Sequence, residues 1–348
     1  MTLRPMRQTE ARPIPAGAVD VHAHVLVPEV YEQTRSHSLF TLMAEDPAAS
    51  GEMRAQLRAR SADVERRMAD VTERIARMDE MGVSLQVLTA SLVHQCSYFA
   101  APERSLALER TSNDRIAAMV AARPDRFLGL GGVPLHAPEL AAEELERCVT
   151  ELGLSGVQIS TRAGEMEIGD RRLRPFWARA EALGAVVFVH PAGNPDARLR
   201  PWQLWNSLGQ AMEEAFAIAS LIYEGILESY PALKICISHG GGYMPYYTGR
   251  VERNYVEKPA TRVHMRRPPA DYLRMLYYDS CVYDAKTLAV LIDKVGADRV
   301  LLGSDYPVGE PRPVDFVRST PGLSAAEQEM ILRGNALRLF GLAERREA

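Results

Sequence analysis

Residues 18–25 read Ala-Val-Asp-Val-His-Ala-His-Val. Apolar and polar residues alternate, the pattern of a β-strand in which every second side chain shares a face. The alternation predicts Asp20, His22 and His24 on one side, with the two imidazoles converging near the strand's C-terminal end. A histidine pair of this spacing is common in proteins, so its weight depends on what the rest of the chain brings to it. Working outward, seven further β-type runs follow: VSLQVLTA from 83, FLGLGGVPL from 127, GVQIST from 156, AVVFVH from 185, LKICISH from 233, LYYDSCV from 276 and RVLLGSDYP from 299. Helical patterns lie between them, including Met68, Val71, Ile75 and Met78, or Ala141, Leu145, Cys148 and Leu152, at spacings of three or four. Eight strands alternating with amphipathic helices predict an α/β fold, the (β/α)8 TIM barrel.

One connection is irregular. About 60 residues separate the first and second strands, against two to six in an ordinary βα loop. Residues 27–65 are therefore expected to be an insertion forming a lid over the barrel mouth. Within it YEQTRSHSLF (31–40) and TLMAEDPAASGE (41–52) read as loops. The run SADVERRMADVTERIARMDEMG (61–82) reads as one helix from a serine cap to a glycine stop. Nothing divides residues 1–348, and a single barrel domain is expected.

Composition narrows the function. The chain of 348 residues is 47 % hydrophobic and 25 % charged, with a net charge of -4. These averages give no reason to expect nucleic acid as a partner. No run approaches the ~18 consecutive apolar residues of a membrane span, and none resembles a signal peptide. Cys96, Cys148, Cys236 and Cys281 are widely spaced without a CxxC pair, which suits a reducing cytoplasm.

Three other predicted strands end in a polar group after an apolar run: His190, His239 and Asp305. Taken singly, each reads as a satisfied histidine or an acidic cap. In a barrel, whose reactive groups gather at the C-terminal ends of several strands, all five side chains surround one mouth. Three imidazoles and one carboxylate with room for water describe an open catalytic zinc site. His239 is read as the member left out, a neutral base able to accept a proton beside the ion. None of Lys234, Lys258, Lys286 and Lys294 lies near the end of the fourth strand, so no carbamylated lysine and only one ion is expected.

The segments VDVHAHVL, FVHP, ISHGGG and LLGSDYP resemble, in order, the motifs of the amidohydrolase superfamily, metal-dependent hydrolase barrels. Within it they are most similar to the decarboxylase branch typified by α-amino-β-carboxymuconate-ε-semialdehyde decarboxylase. RFLGLGGVPLHAPELAAEELERCVTELGLSGVQIST and GNALRLFGL extend the likeness over about 18–342. The resemblance implies one zinc, or manganese as in some relatives, held by His22, His24, His190 and Asp305, with His239 as acid/base. It also implies a homodimer in which Arg250 crosses the interface to grip a substrate carboxylate. The likeness weakens after the first strand, where none of Arg54, Arg58, Arg60, Arg66 and Arg67 clearly matches the family's second substrate arginine. It weakens again after His190, where Trp202, Trp205 and Asn206 are candidates for the substrate wall. The expected activity is non-oxidative decarboxylation of a small unsaturated or aromatic carboxylic acid, with His239 and Asp305 handling the proton. Hydrolysis or hydration by activated water at the same site is the alternative, and a non-catalytic barrel a third.

Overall fold

The computed structural model describes residues 16–38 and 49–342. Its strands are β1 (Ala18–Val25), β2 (Val83–Ala90), β3 (Phe127–Gly129), β4 (Gly131–Gly132), β5 (Gly156–Ile159), β6 (Arg162–Ala163), β7 (Met166–Glu167), β8 (Val186–Val189), β9 (Lys234–Ile237), β10 (Tyr277–Asp279) and β11 (Val300–Leu301). Parallel ladders run β1-β2-β3 and β11-β10-β9-β8-β5-β4, while β6 and β7 form a small antiparallel hairpin. β3 and β4 are two halves of one stave, interrupted at Leu130, whose N–H donates to the Leu88 carbonyl at 3.0 Å. The circle closes where Val21 N–H reaches Leu302 O and His24 N–H reaches Tyr306 O, both at 2.9 Å. The eight staves correspond to the eight runs expected from sequence, and the fold is the α/β barrel.

The interior is packed by Val19 and Val21 of β1, Leu85 and Val87 of β2, Leu128 and Leu130, Val186 and Phe188, Cys236 and Leu301. Ala336, Leu337 and Leu339 join the same cluster from the C-terminal helix Asn335–Phe340. Outside, a larger core lies between staves and helices and includes Ala18, Ala23 and Val25 of β1. The odd residues 19 and 21 thus face inward whereas 23 and 25 face outward. The register explains the switch: Asp20 pairs with Gln86 but Ala23 with Leu88, so two residues, Val21 and His22, oppose Val87. A bulge of this kind reverses which face the following side chains take. It turns His22 and His24 inward and leaves Asp20 on the other side. The expectation that Asp20 shares their face is therefore corrected. Asp20 is buried against Gln86 Nε2 (2.8 Å) and Ser304 Oγ (2.6 Å).

The insertion also departs from the reading of its loops. Pro28–Thr34 is a helix, started by proline in its first turn and anchored by Val30 against Val27 and Leu108, so the first four residues of YEQTRSHSLF are helical. Residues 39–48 lie outside the described residues. A second helix, Gly51–Ala69, begins at Ser50, whose side chain accepts from Met53 N–H at 3.3 Å. The predicted cap Ser61 is interior to it, its hydroxyl donating to Leu57 O. The expected single helix over 61–82 is broken at Asp70, whose carboxylate caps a third helix, Val71–Met81, stopped by Gly82 in the left-handed conformation. Among the described residues no helix is long and apolar enough to cross a membrane.

Candidate metal centre and active-site cavity

His22 and His24 come from the end of β1 beyond its bulge, His190 from the residue after β8, and Asp305 from the loop after β11. One ligand atom from each lies within 4.8 Å of the others, and all four residues are buried. His22 Nε2 and His24 Nε2 are 3.2 Å apart, and Asp305 Oδ1 is 3.3 Å from the first and 3.0 Å from the second. The outer nitrogens of the rings are engaged. His22 Nδ1 lies 2.6 Å from Asp279 Oδ2 and His190 Nδ1 2.8 Å from the Pro191 carbonyl, both acceptors only, so each Nδ1 carries the proton. His24 Nδ1 lies 3.3 Å from the Thr89 hydroxyl, which itself donates to Ala23 O. The Nε2 lone pairs are thereby left facing one space, where such close approach is repulsive unless a cation stands between them. Burial lowers the pKa of His24 and pushes that of His190 well down, keeping the neutral form that a metal binds. Asp305 is buried, which alone would raise its pKa, but His22, His239 and His24 hold it well below the usual carboxylate range. Three imidazole nitrogens and one carboxylate oxygen fit a divalent ion. Gly303 makes room for this packing, since a Cβ there would lie 2.7 Å from Asp279 Cβ and 3.1 Å from His22 Cβ.

His239 stands beside the quartet. Its Nε2 is 3.6 Å from Asp305 Oδ2, the oxygen turned away from the cluster, and its Nδ1 is 2.5 Å from Oε1 of Glu214. Glu214 is fully buried on the helix Gln210–Tyr223 and also accepts from Ser238 Oγ at 2.6 Å. Burial opposes the charged form of His239, yet Glu214 and Asp305 outweigh it and raise its pKa well above the ordinary value. The backbone is left-handed at both His239 (φ 47°) and Asp305 (φ 56°), an uncommon conformation for residues other than glycine. Tyr283, also left-handed, donates its hydroxyl to Asp305 Oδ2 at 3.3 Å.

A cavity of about 850 Å³ opens above these groups, with His24, His190, His239 and Asp305 in its lining. Trp205, 4 % exposed, and Asn206 line it. Trp202 does not line it and is 73 % exposed. From the helix Gly51–Ala69, Leu57, Arg60, Ser61, Val64 and Met68 line one part of it, so Arg60 is the member of the unmatched arginine set that reaches the cavity. Arg250 is exposed on the helix Thr248–Glu257 and does not line its own chain's cavity. Sequence reasoning passed over Asp279 and Glu214. Asp279 carries the same signal as Asp305, a carboxylate after an apolar strand run in LYYDSCV. Glu214 is hidden in QAMEEAF, where only the apolar stripe around it hints that the glutamate is buried.

A parallel barrel with three histidines and an aspartate gathered at its C-terminal mouth defines a metal-dependent enzyme of the amidohydrolase type. The amidohydrolase family profile matches residues 19–342, and the chain belongs to this family. The chain is 37 % identical to a 2-amino-3-carboxymuconate-6-semialdehyde decarboxylase of Dictyostelium discoideum, over 75 % of this chain and 73 % of that one. It is 33 % identical to a γ-resorcylate decarboxylase of Polaromonas sp., over 82 % and 90 % of the respective chains. The crystal structure of a dihydroxybenzoic acid decarboxylase from Polaromonas, with bound manganese and 2-nitroresorcinol, superposes with a TM-score of 0.79 at 27 % identity, covering 94 % of this chain and 97 % of the other.

Proposed function

We propose that this protein is a metal-dependent carboxy-lyase that removes carbon dioxide, without oxidation, from a small unsaturated or aromatic carboxylic acid. The observation that carries this reading is His239. It is held outside the four-donor cluster by a buried glutamate and lines the cavity beside Asp305, in a family whose members include decarboxylases. His22, His24, His190 and Asp305 would hold one divalent ion, zinc by the preference of the donor set. Manganese, present in the Polaromonas structure, is the other candidate. When bound, the ion supplies Lewis-acid stabilisation of the negative charge that builds as the C–C bond breaks.

The chain's own groups account for the proton. The bond between the carboxylate and its carbon breaks, its electron pair stays on that carbon, and carbon dioxide leaves. The carbon then takes the proton that His239 holds at Nε2, and solvent restores it. Glu214 at Nδ1 favours the charged imidazolium needed for this donation, and Asp305 Oδ2 lies close enough to steady Nε2–H. Trp205 and Asn206 form part of the substrate wall, and helix Gly51–Ala69 would act as the lid. Arg250, absent from its own cavity, fits a homodimer in which it enters the partner's site and binds a carboxylate through its planar fork. All four cysteines are free, in keeping with a reducing cytoplasm.

The test pairs elemental analysis of the purified protein with product analysis in 18O water. About one zinc or manganese per chain and carbon dioxide release without solvent oxygen in the organic product support the assignment. Lasting oxygen incorporation would identify a hydrolase or hydratase instead.

A further inference from the structure

One wall of the cavity holds two carboxamides that the reaction does not use. Gln210 is 8 % exposed, lines the cavity, and its Oε1 is buried without a hydrogen-bond partner in the protein. Gln203 also lines it. Its Oε1 accepts from Trp205 Nε1–H at 3.0 Å, which fixes the direction of the amide, and its buried Nε2 has no partner. An unsatisfied buried donor or acceptor costs about 1–3 kcal/mol, so two on one wall need a reason.

The backbone supplies independent signs that the wall is built for a ligand. Trp202 (φ 56°) and Gln203 (φ 55°) are consecutive non-glycine residues in the left-handed region. They lead into a π-helical turn, Trp205–Gly209, which delivers Gln210 to the first position of the helix Gln210–Tyr223. Strained dihedrals and π turns are both costly locally and concentrate at functional sites. Position in the helix orders the groups. Gln210 lies four residues before Glu214 and shares its face, one turn nearer the barrel mouth. Glu214 grips the proton-carrying histidine, so Gln210 stands where the part of a substrate remote from the breaking bond would lie.

We infer that Gln203 and Gln210 determine specificity by hydrogen-bonding a hydroxyl group on the substrate edge away from the carboxylate that is lost. In this arrangement Gln203 donates to, and Gln210 accepts from, the substrate's hydroxyl groups. This deepens, and rests on, the carboxy-lyase reading. A site built to hydrogen-bond a hydroxyl rejects an analogue without it strongly, by up to about 10⁴-fold, because its buried amides are then left unpaired.

The experiment uses the metal-loaded full chain and three acids that share the same metal-facing end: salicylate and its 4-hydroxy and 5-hydroxy derivatives. Titration calorimetry measures binding, and carbon dioxide release is followed in parallel. At least one derivative is expected to bind about 100-fold or more tightly than salicylate. Gln210→Met and Gln203→Met should each cut that ratio about tenfold or more, with metal content and thermal midpoint near the wild-type values. Equal affinity for all three acids, failure of both derivatives to bind, or an unchanged ratio in both variants overturns the inference. If a variant does not fold, the wild-type ratio and the other variant decide it. Selective binding without carbon dioxide release from any acid would leave the wall standing and remove the carboxy-lyase reading. Carbon dioxide release without a preference for the extra hydroxyl would do the reverse.

Discussion

His239 and Asp305 face each other across 3.6 Å, yet only the aspartate is among the four grouped donors. The division can be tested by removing the imidazole's proton chemistry while keeping its approximate shape. His239→Asn is expected to retain near-stoichiometric metal and lose at least about 10²-fold in kcat, the usual worth of a general acid. Loss of the metal would place His239 among the ligands. A second residue-scale prediction concerns Glu109, buried beside Ser97, whose hydroxyl donates to it. Burial pushes its pKa up to about 7 from an ordinary 4.5. With the folded value raised, the native state binds the extra proton between these limits, so Glu109 stabilises the fold most below pH 4.5. That contribution falls as pH rises to 7 and is flat above it. Glu109→Gln keeps a neutral partner for Ser97 and should be more stable than wild type at pH 8, by up to the order of 3 kcal/mol, with the difference vanishing near pH 4.5. Urea denaturation at both pH values checks this. His22 and His24 were legible from the alternation of their strand, and His190, His239 and Asp305 because each follows an apolar run. Asp279 carried that signal unread, and Glu214 did not, because a helix-borne glutamate shows its burial only once the helix is docked.

At the scale of elements, the bulge in β1 decides which way the histidines point. The helix Val71–Met81 supports it through Arg74, a fully buried cation. Its guanidinium donates to His24 O at 2.5 Å, Met68 O at 3.1 Å and Gln86 Oε1 at 2.9 Å, and stacks 4.6 Å from the Tyr306 ring. Burial lowers its pKa to about 10, so it remains charged at neutral pH. Arg74→Met would leave three buried acceptors short of a donor, costing on the order of 3 kcal/mol. Because one of them is the carbonyl of a metal-site residue, metal affinity should fall as well. Unchanged affinity in a destabilised variant would confine Arg74 to a structural role. The eight strands and the outer helices were readable from their periodicities, since burial of one face imposes the pattern. The bulge was not, because alternation in VDVHAHV continues unbroken across it and only pairing with β2 shows two residues opposing one.

For the whole molecule, metal and partner are the expected sources of extra stability and of a complete site. Chelation should lower the thermal midpoint, and zinc or manganese should restore it. A ligand present at about a thousandfold over its Kd contributes roughly 4 kcal/mol. The His22→Ala/His24→Ala double variant should not respond to either treatment, and a response would locate the ion elsewhere. If Arg250 completes the neighbouring site, mixing inactive Arg250→Ala with inactive His239→Asn should recover partial activity in hybrid dimers. No recovery would assign the arginine to its own subunit or to the surface.

The barrel class, the number of staves and the five polar groups at its mouth were determined by sequence alone, because strand and helix periods and the polar ends of apolar runs are local properties of the chain. Tertiary structure decided the turn of His22 and His24 away from Asp20, the anchoring of His239 by Glu214, and the union of Gln203 and Gln210 on one wall. Each of these depends on which residues oppose one another after folding, and pairing across long sequence separations leaves no periodic trace in the chain.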